Sequence, residues 1–251
     1  MFEKQDCNYT TYRGIIKNIV ETGRYMDYAE ALNADEFIVM RHDIEFSVDR
    51  AYNLAKIESE CNFTSSYLVQ ITNNAYNALS KKNVDYLREM LNMGHKIGLH
   101  YHRNGISDIA RIKEDIIFQA QVLSEFLGIG IDRFSFHRPE AEHLKVDISI
   151  DGMINCYGSY FFTYTEDAST VDKSKVKYIA DSNHQWKYGL PNEEYFSEYP
   201  KIQILTHPLS WTEYGTNHLD CFKGIANEKS EEFIKTIQNE WKIFYMLEGK
   251  L

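Results

Sequence analysis

Short apolar runs recur along the chain, amphipathic stretches separate them, and five of the runs deliver ionisable residues at their C-terminal ends. "EFIVMRHD" predicts a buried strand ending near Arg41. "SVDRAYNLAKIESE" predicts a helix that Ser47 caps, with Val48, Ala51, Tyr52 and Ala55 on one face. "SSYLVQI" is a second strand and "NVDYLREMLNMG" a helix stopped by Gly94. "HKIGLH" is a third strand, and the long helix "DIARIKEDIIFQAQVLSEFLG" stops at Gly128. "RFSFH", "NCYGSYFF", "VKYIAD" and "IQILTH" supply further strand candidates, and "SEEFIKTIQNEWKIFYMLE" a closing helix. Strands buried on both faces and alternating with helices call for a parallel sheet with helical crossovers. About six or seven such units in 251 residues fit an incomplete or distorted α/β barrel of the TIM type, with a doubly wound open sheet as the competitor.

The strands end in "RHDIE", "HYHRN", "HRPE", "DSNHQW" and "THP". In a barrel those ends converge on the face where active sites lie. Asp43 and Glu45 are two apart and point to one side of an extended chain. Such a pair can divide labour, one carboxylate binding a metal while the other takes a proton. His100 and His102 repeat that spacing and can chelate one ion. His95, at the strand's start, is expected at the other end of the barrel in a structural role. Arg138 serves to neutralise an acidic pair or hold substrate. His207 ends an almost wholly apolar strand, so it needs a carboxylate partner or a place facing the cleft.

Other classes fall away on composition. A net charge of −10 disfavours a phosphate backbone as partner, so no nucleic acid is expected. Cys7, Cys61, Cys156 and Cys221 form no CxxC pair, which argues for reduced thiols rather than a zinc knuckle or disulfide scaffold. The N-terminus does not read as a secretory signal, and no apolar run is long enough for a membrane span, so a cytoplasmic protein is the expectation. The "HD" at 42–43 is also found in all-helical phosphohydrolases, but here it ends a strand.

In this order the clusters resemble the motifs of the polysaccharide deacetylases, the NodB-homology group or carbohydrate esterase family 4. "HDIE" is similar to the first motif, "GHKIGLH" to the second, "HRPE" to the third, "DSNHQW" to the fourth and "LTH" to the fifth. The resemblance runs from about residue 37 to 208. It implies a distorted (β/α)7 barrel occupying 1–251 as one domain, and removal of N- or O-acetyl groups with one divalent metal ion, zinc in the first place. It implies Asp43 as base, His207 as general acid and Arg138 holding Asp43 ionised. It also implies Glu45, His100 and His102 or Asn104 as metal ligands, and Trp186, Asp181 and His137 as substrate-binding residues. Glu45 stands where the family has aspartate. Asn104 stands where the second histidine is expected, and Arg138 and Pro139 are adjacent where the family separates them. Two readings stay open: an active deacetylase, and a sugar-binding barrel without a working metal site. "RHD", "GLHYH", "FSFHRP" and "LTHP" most resemble the deacetylase-like proteins of bacterial surface-polysaccharide and O-antigen synthesis. That likeness implies an acetylated sugar, nucleotide-sugar or glycan as substrate.

Overall fold

In the computed structural model, residues 7–164, 172–186 and 189–241 are described, apart from the side chains of residues 142–143. Helices α1 (Tyr9–Glu21) and α2 (Tyr28–Ala31) precede β1 (Phe37–Ile44). Then follow α3 (Val48–Glu60), β2 (Ser66–Val69), α4 (Lys81–Asn92), β3 (Lys96–Tyr101), α5 (Ile109–Leu127), β4 (Arg133–Phe136) and α6 (Ala141–Lys145). The described elements end with β5 (Ile154–Asn155), β6 (Lys177–Ala180), α7 (Glu193–Glu198), β7 (Lys201–Thr206) and α8 (His218–Glu240). The caps are those the sequence predicts: Ser47 accepts from the Arg50 N–H, and Gly128 adopts φ 73 where a side chain would be strained. Two elements differ from expectation. "NCYGSYFF" gives only the two residues of β5, and the closing helix starts earlier, at His218. Its stretch beyond residue 241 lies outside the described residues.

All seven strands pair in parallel, in the order β5-β4-β3-β2-β1-β7-β6. The sheet is curled. In a flat sheet β1 and β5 would lie four strand spacings apart, roughly 19 Å, yet Arg41 Nη1 on β1 donates to the Cys156 carbonyl just past β5 at 3.3 Å. At the sheet's two edges, Tyr157 and Tyr178 bring their hydroxyls to 3.4 Å. The fold is therefore a distorted barrel of seven parallel strands whose β5–β6 seam is bridged by side chains.

Strand parity sorts residues into inside and outside. Along β1, Ile38 and Met40 face out onto α1, in a cluster with Tyr12, Ile16 and Ile19. Phe37 and Val39 face in, with Leu68 and Phe161. Arg41 and Asp43 continue the inward face. Gly98 is inward on β3, where a Cβ would fall 2.3 Å from Leu68 Cδ2 and 2.5 Å from Arg133 Cγ, so the barrel floor closes only around a glycine.

Outward-facing His42 meets Glu58 on α3. This fully buried carboxylate accepts from the Tyr12 hydroxyl (2.5 Å), Ser65 Oγ (2.7 Å) and the Tyr67 hydroxyl (2.8 Å), and lies 2.8 Å from His42 Nε2. Burial alone would raise its pKa, but the charge and hydrogen bond of His42, then His95, hold it below the usual carboxylate range. His95 sits at the start of β3, buried, within 3.0 Å of the Ala55 carbonyl and accepting from the Ser65 N–H. This placement agrees with its expected structural position.

Candidate active site and metal centre

Four strands converge on a cleft of about 450 Å3 at their C-terminal ends, lined among others by Asp43, Glu45, His100, Arg138 and His207. That size suits a small-molecule site. A larger cleft, about 800 Å3, opens between α3 and α8. Many of its charges pair with one another, Lys82 with Asp49 and Glu232, and Arg50 with Glu228.

Glu45, just past β1, His100 on β3 and His137, just past β4, each direct one ligand atom to a common point, all within 4.8 Å of one another. His137 Nδ1 lies 3.1 Å from Glu45 Oε1 and 3.2 Å from His100 Nε2. Two imidazoles and a carboxylate form a donor set suited to zinc and similar divalent ions. The protonation states suit it too. Burial lowers His100 to about 4 against the opposing pull of Asp43 and Glu45, so its ring is neutral near pH 7. Burial works against the Glu45 carboxylate, but the His137 hydrogen bond and the charges of His207 and His100 bring it down to about 2. Behind the ligands, Ser135 Oγ donates to Asp43 Oδ1 at 3.3 Å. It must then accept from His100 Nδ1, 2.7 Å away, which leaves the Nε2 lone pair facing the cluster.

Asp43 is 2% exposed. Burial would raise its pKa, but Arg41, with Nε at 3.3 Å, and then His100 and His207 hold it below the usual range. Arg41 is itself fixed by Gln203 Oε1 at 2.8 Å and by stacking over the Tyr157 ring at 4.2 Å. Across the cleft, His207 Nδ1 lies 2.7 Å from Asp181 Oδ1. Asp181 also accepts from the His207 backbone N–H and from Trp211 Nε1 at 2.9 Å. Burial disfavours the charged His207 ring, yet the hydrogen bond and charge of Asp181 raise it to about 9. At neutral pH the cleft therefore holds a carboxylate base and an imidazolium acid.

The structure places the sequence-derived site residues as follows. The donor brought beside Glu45 and His100 is His137, and neither His102 nor Asn104 joins that cluster. β3 ends at Tyr101, so His102 has left the strand and packs edge-on against His137 (ring centroids 4.9 Å), while Asn104 is exposed in a turn with φ 49. Arg138 is exposed at φ 48 on the cleft rim, and Arg41 is the arginine beside Asp43. Asp181 faces His207, where two donors of the His207 residue and the Trp211 indole meet its carboxylate. Trp186 is buried on the helix side of the sheet, beside Trp211, and does not wall the cleft.

No protein-family model and no curated relative matches the chain. Among solved structures it is similar to the CE4 family pseudoenzyme of Bacillus anthracis, both wild type (TM-score 0.46, 10% identity, covering 80% of this chain and 62% of that one) and a mutant with restored enzymatic activity (TM-score 0.47, 10% identity, 80% and 64%). The chain thus spans less than two thirds of that protein's length. It is also similar to a family 4 acetyl xylan esterase from Clostridium thermocellum in complex with a cobalt ion (TM-score 0.42, 15% identity, 68% and 73%). A third is the chitin deacetylase of the fungal pathogen Colletotrichum lindemuthianum (TM-score 0.40, 13% identity, 76% and 81%).

Proposed function

We propose that this protein is a metal-dependent hydrolase that removes an acetyl group from an acetylated sugar, nucleotide-sugar or glycan. One observation carries the reading: the donor cluster of Glu45, His100 and His137 shares a cleft with an ionised Asp43 and a charged His207. Glu45, His100 and His137 would hold a divalent ion, zinc being the best match to two imidazoles and a carboxylate. When bound, such an ion supplies a Lewis acid for the acyl oxygen. Asp43, kept anionic by Arg41, takes the proton of the attacking water. His207 gives its proton to the departing nitrogen or oxygen, and Asp181 keeps that ring charged and oriented. Leu205, Leu209 and Tyr157 supply apolar lining beside these groups. The alternative, a sugar-binding barrel without a working metal site, draws on Glu45, Asn104 and the adjacent Arg138 and Pro139; the donor that His137 adds beside Glu45 and His100 favours the hydrolase reading. The sequence likeness to deacetylase-like proteins of surface-polysaccharide synthesis supports an O-antigen or related precursor as substrate.

Metal titration with acetate-release assays on N-acetylated sugars tests this reading. Asp43→Asn and His207→Ala should each lower kcat by about 10²-fold or more. His137→Ala should weaken metal binding by calorimetry, while Asn104→Ala leaves it unchanged. Acetate release indifferent to the first two substitutions would refute the mechanism.

A further inference from the structure

One wall of the cleft takes no part in the chemistry above. His218 and Phe222 stand one helical turn apart at the start of α8, with ring centroids 4.7 Å apart. The His184 ring stacks on His218 at 4.4 Å and 20°, and Phe46 meets Phe222 edge-on at 5.6 Å. All four line the same cleft as Asp43 and His207. Three separate segments thus pack four rings into one wall of the cleft, and Phe222 remains 39% exposed there. Asn183 and His184 both adopt the left-handed backbone region, φ 58 and φ 56, and this tight turn carries the His184 ring to the wall.

We infer that this wall, formed by His184, His218, Phe222 and Phe46, is a binding platform for the apolar C–H face of a pyranose ring. The cleft carries the complementary polar edge as well, with Ser182 and Asn183 available to ring hydroxyls. A ligand with one apolar face and a hydroxylated rim satisfies both. The inference rests on the reading of the cleft as a sugar-processing site, but its test is independent of turnover.

The test is saturation-transfer NMR and calorimetric titration with an N-acetylated disaccharide, its de-acetylated counterpart and uridine. The metal-loaded wild type, Phe222→Ala, His218→Ala and, as a control on α5, Phe118→Ala are compared. The wild type is expected to transfer saturation from aromatic protons to sugar ring protons. Phe222→Ala and His218→Ala should each raise Kd for both sugars by up to about tenfold, the range of an aromatic contact. Phe118→Ala should leave Kd unchanged. Loss of sugar affinity in the α8 variants with no acetate released by any protein would keep the platform and refute the deacetylase reading. Unchanged Kd in both α8 variants, no sugar binding by the wild type, or tighter binding of uridine than of either sugar would overturn the platform.

Discussion

Asp181 accepts hydrogen bonds from the His207 backbone, the His207 ring and Trp211, and it is the largest of the three carboxylate influences, ahead of Glu45 and Asp43, that keep the proposed acid charged. Its effect has a definite sign. The folded pKa of His207 is raised to about 9 from 6.5. The associated stability is fully present below the unfolded value and lost as pH rises through about 9. The alkaline limb of kcat/KM should lie near that value in the wild type. In Asp181→Asn it should move down toward the ordinary imidazole range, with a lower maximum, as pH–rate profiles would measure. An alkaline limb that stays in place would separate Asp181 from the acid's titration. Arg41 illustrates a related point. The spacing that puts Asp43 and Glu45 on one side of β1 puts Arg41 there too, so its contact with Asp43 was available from parity. Trp211 had no comparable signal, since nothing in "THPLSW" shows that the chain turns its indole back to Asp181.

β1 is the element on which both faces of the barrel depend. Its inward residues reach the cleft, and its outward His42 binds Glu58 on α3 and lies 2.5 Å from Thr206 Oγ1 on β7. Glu58→Gln leaves four buried donors facing a neutral amide and should cost about 3–5 kcal/mol, the usual loss when one partner of a buried pair is removed. Thermal unfolding would show it as a lowered Tm at neutral pH. Because the Glu58 pKa is depressed, its contribution is present above the unfolded value of 4.5 and fades as pH falls through the lower folded value. The gap in Tm between wild type and variant should therefore narrow in acid. Most strands and helices were legible because apolar runs and caps are local signals. The α1 helix has the same legibility, with Tyr12, Ile15, Ile16 and Ile19 at helical spacing. The ligand set was less so. Choosing His137 over His102 requires knowing that β3 stops at Tyr101 and that the next strand's end lies alongside, which is long-range information. The networks around Glu58 and Arg41 join residues up to 164 positions apart, and no local pattern reports such pairings.

The molecule as a whole is a sheet rolled until its edges meet, with phenol rings and an arginine where backbone pairing stops. Tyr157 is central to that closure, touching both Arg41 and Tyr178. Tyr157→Ala should cost about 3–5 kcal/mol in urea unfolding. Amide exchange should quicken in Ile154–Asn155 and Lys177–Ala180 well before Phe37–Ile44, since the edges lose their bridge while the centre keeps both neighbouring strands. Equal loss of protection across the sheet would argue that the seam is no separate unit. The two-sidedness of β1 has a consequence for how such a chain can vary by descent. Deleting one residue from its middle would exchange the faces of every residue beyond, turning His42 into the cleft and Asp43 onto α3. Point changes can be repaired one at a time, but a frame change in this strand removes base, ligand and buried anchor together. Variation in length should therefore gather in loops and at the barrel's short edge strand, and leave the span from Phe37 to Glu45 fixed in count even where its letters differ.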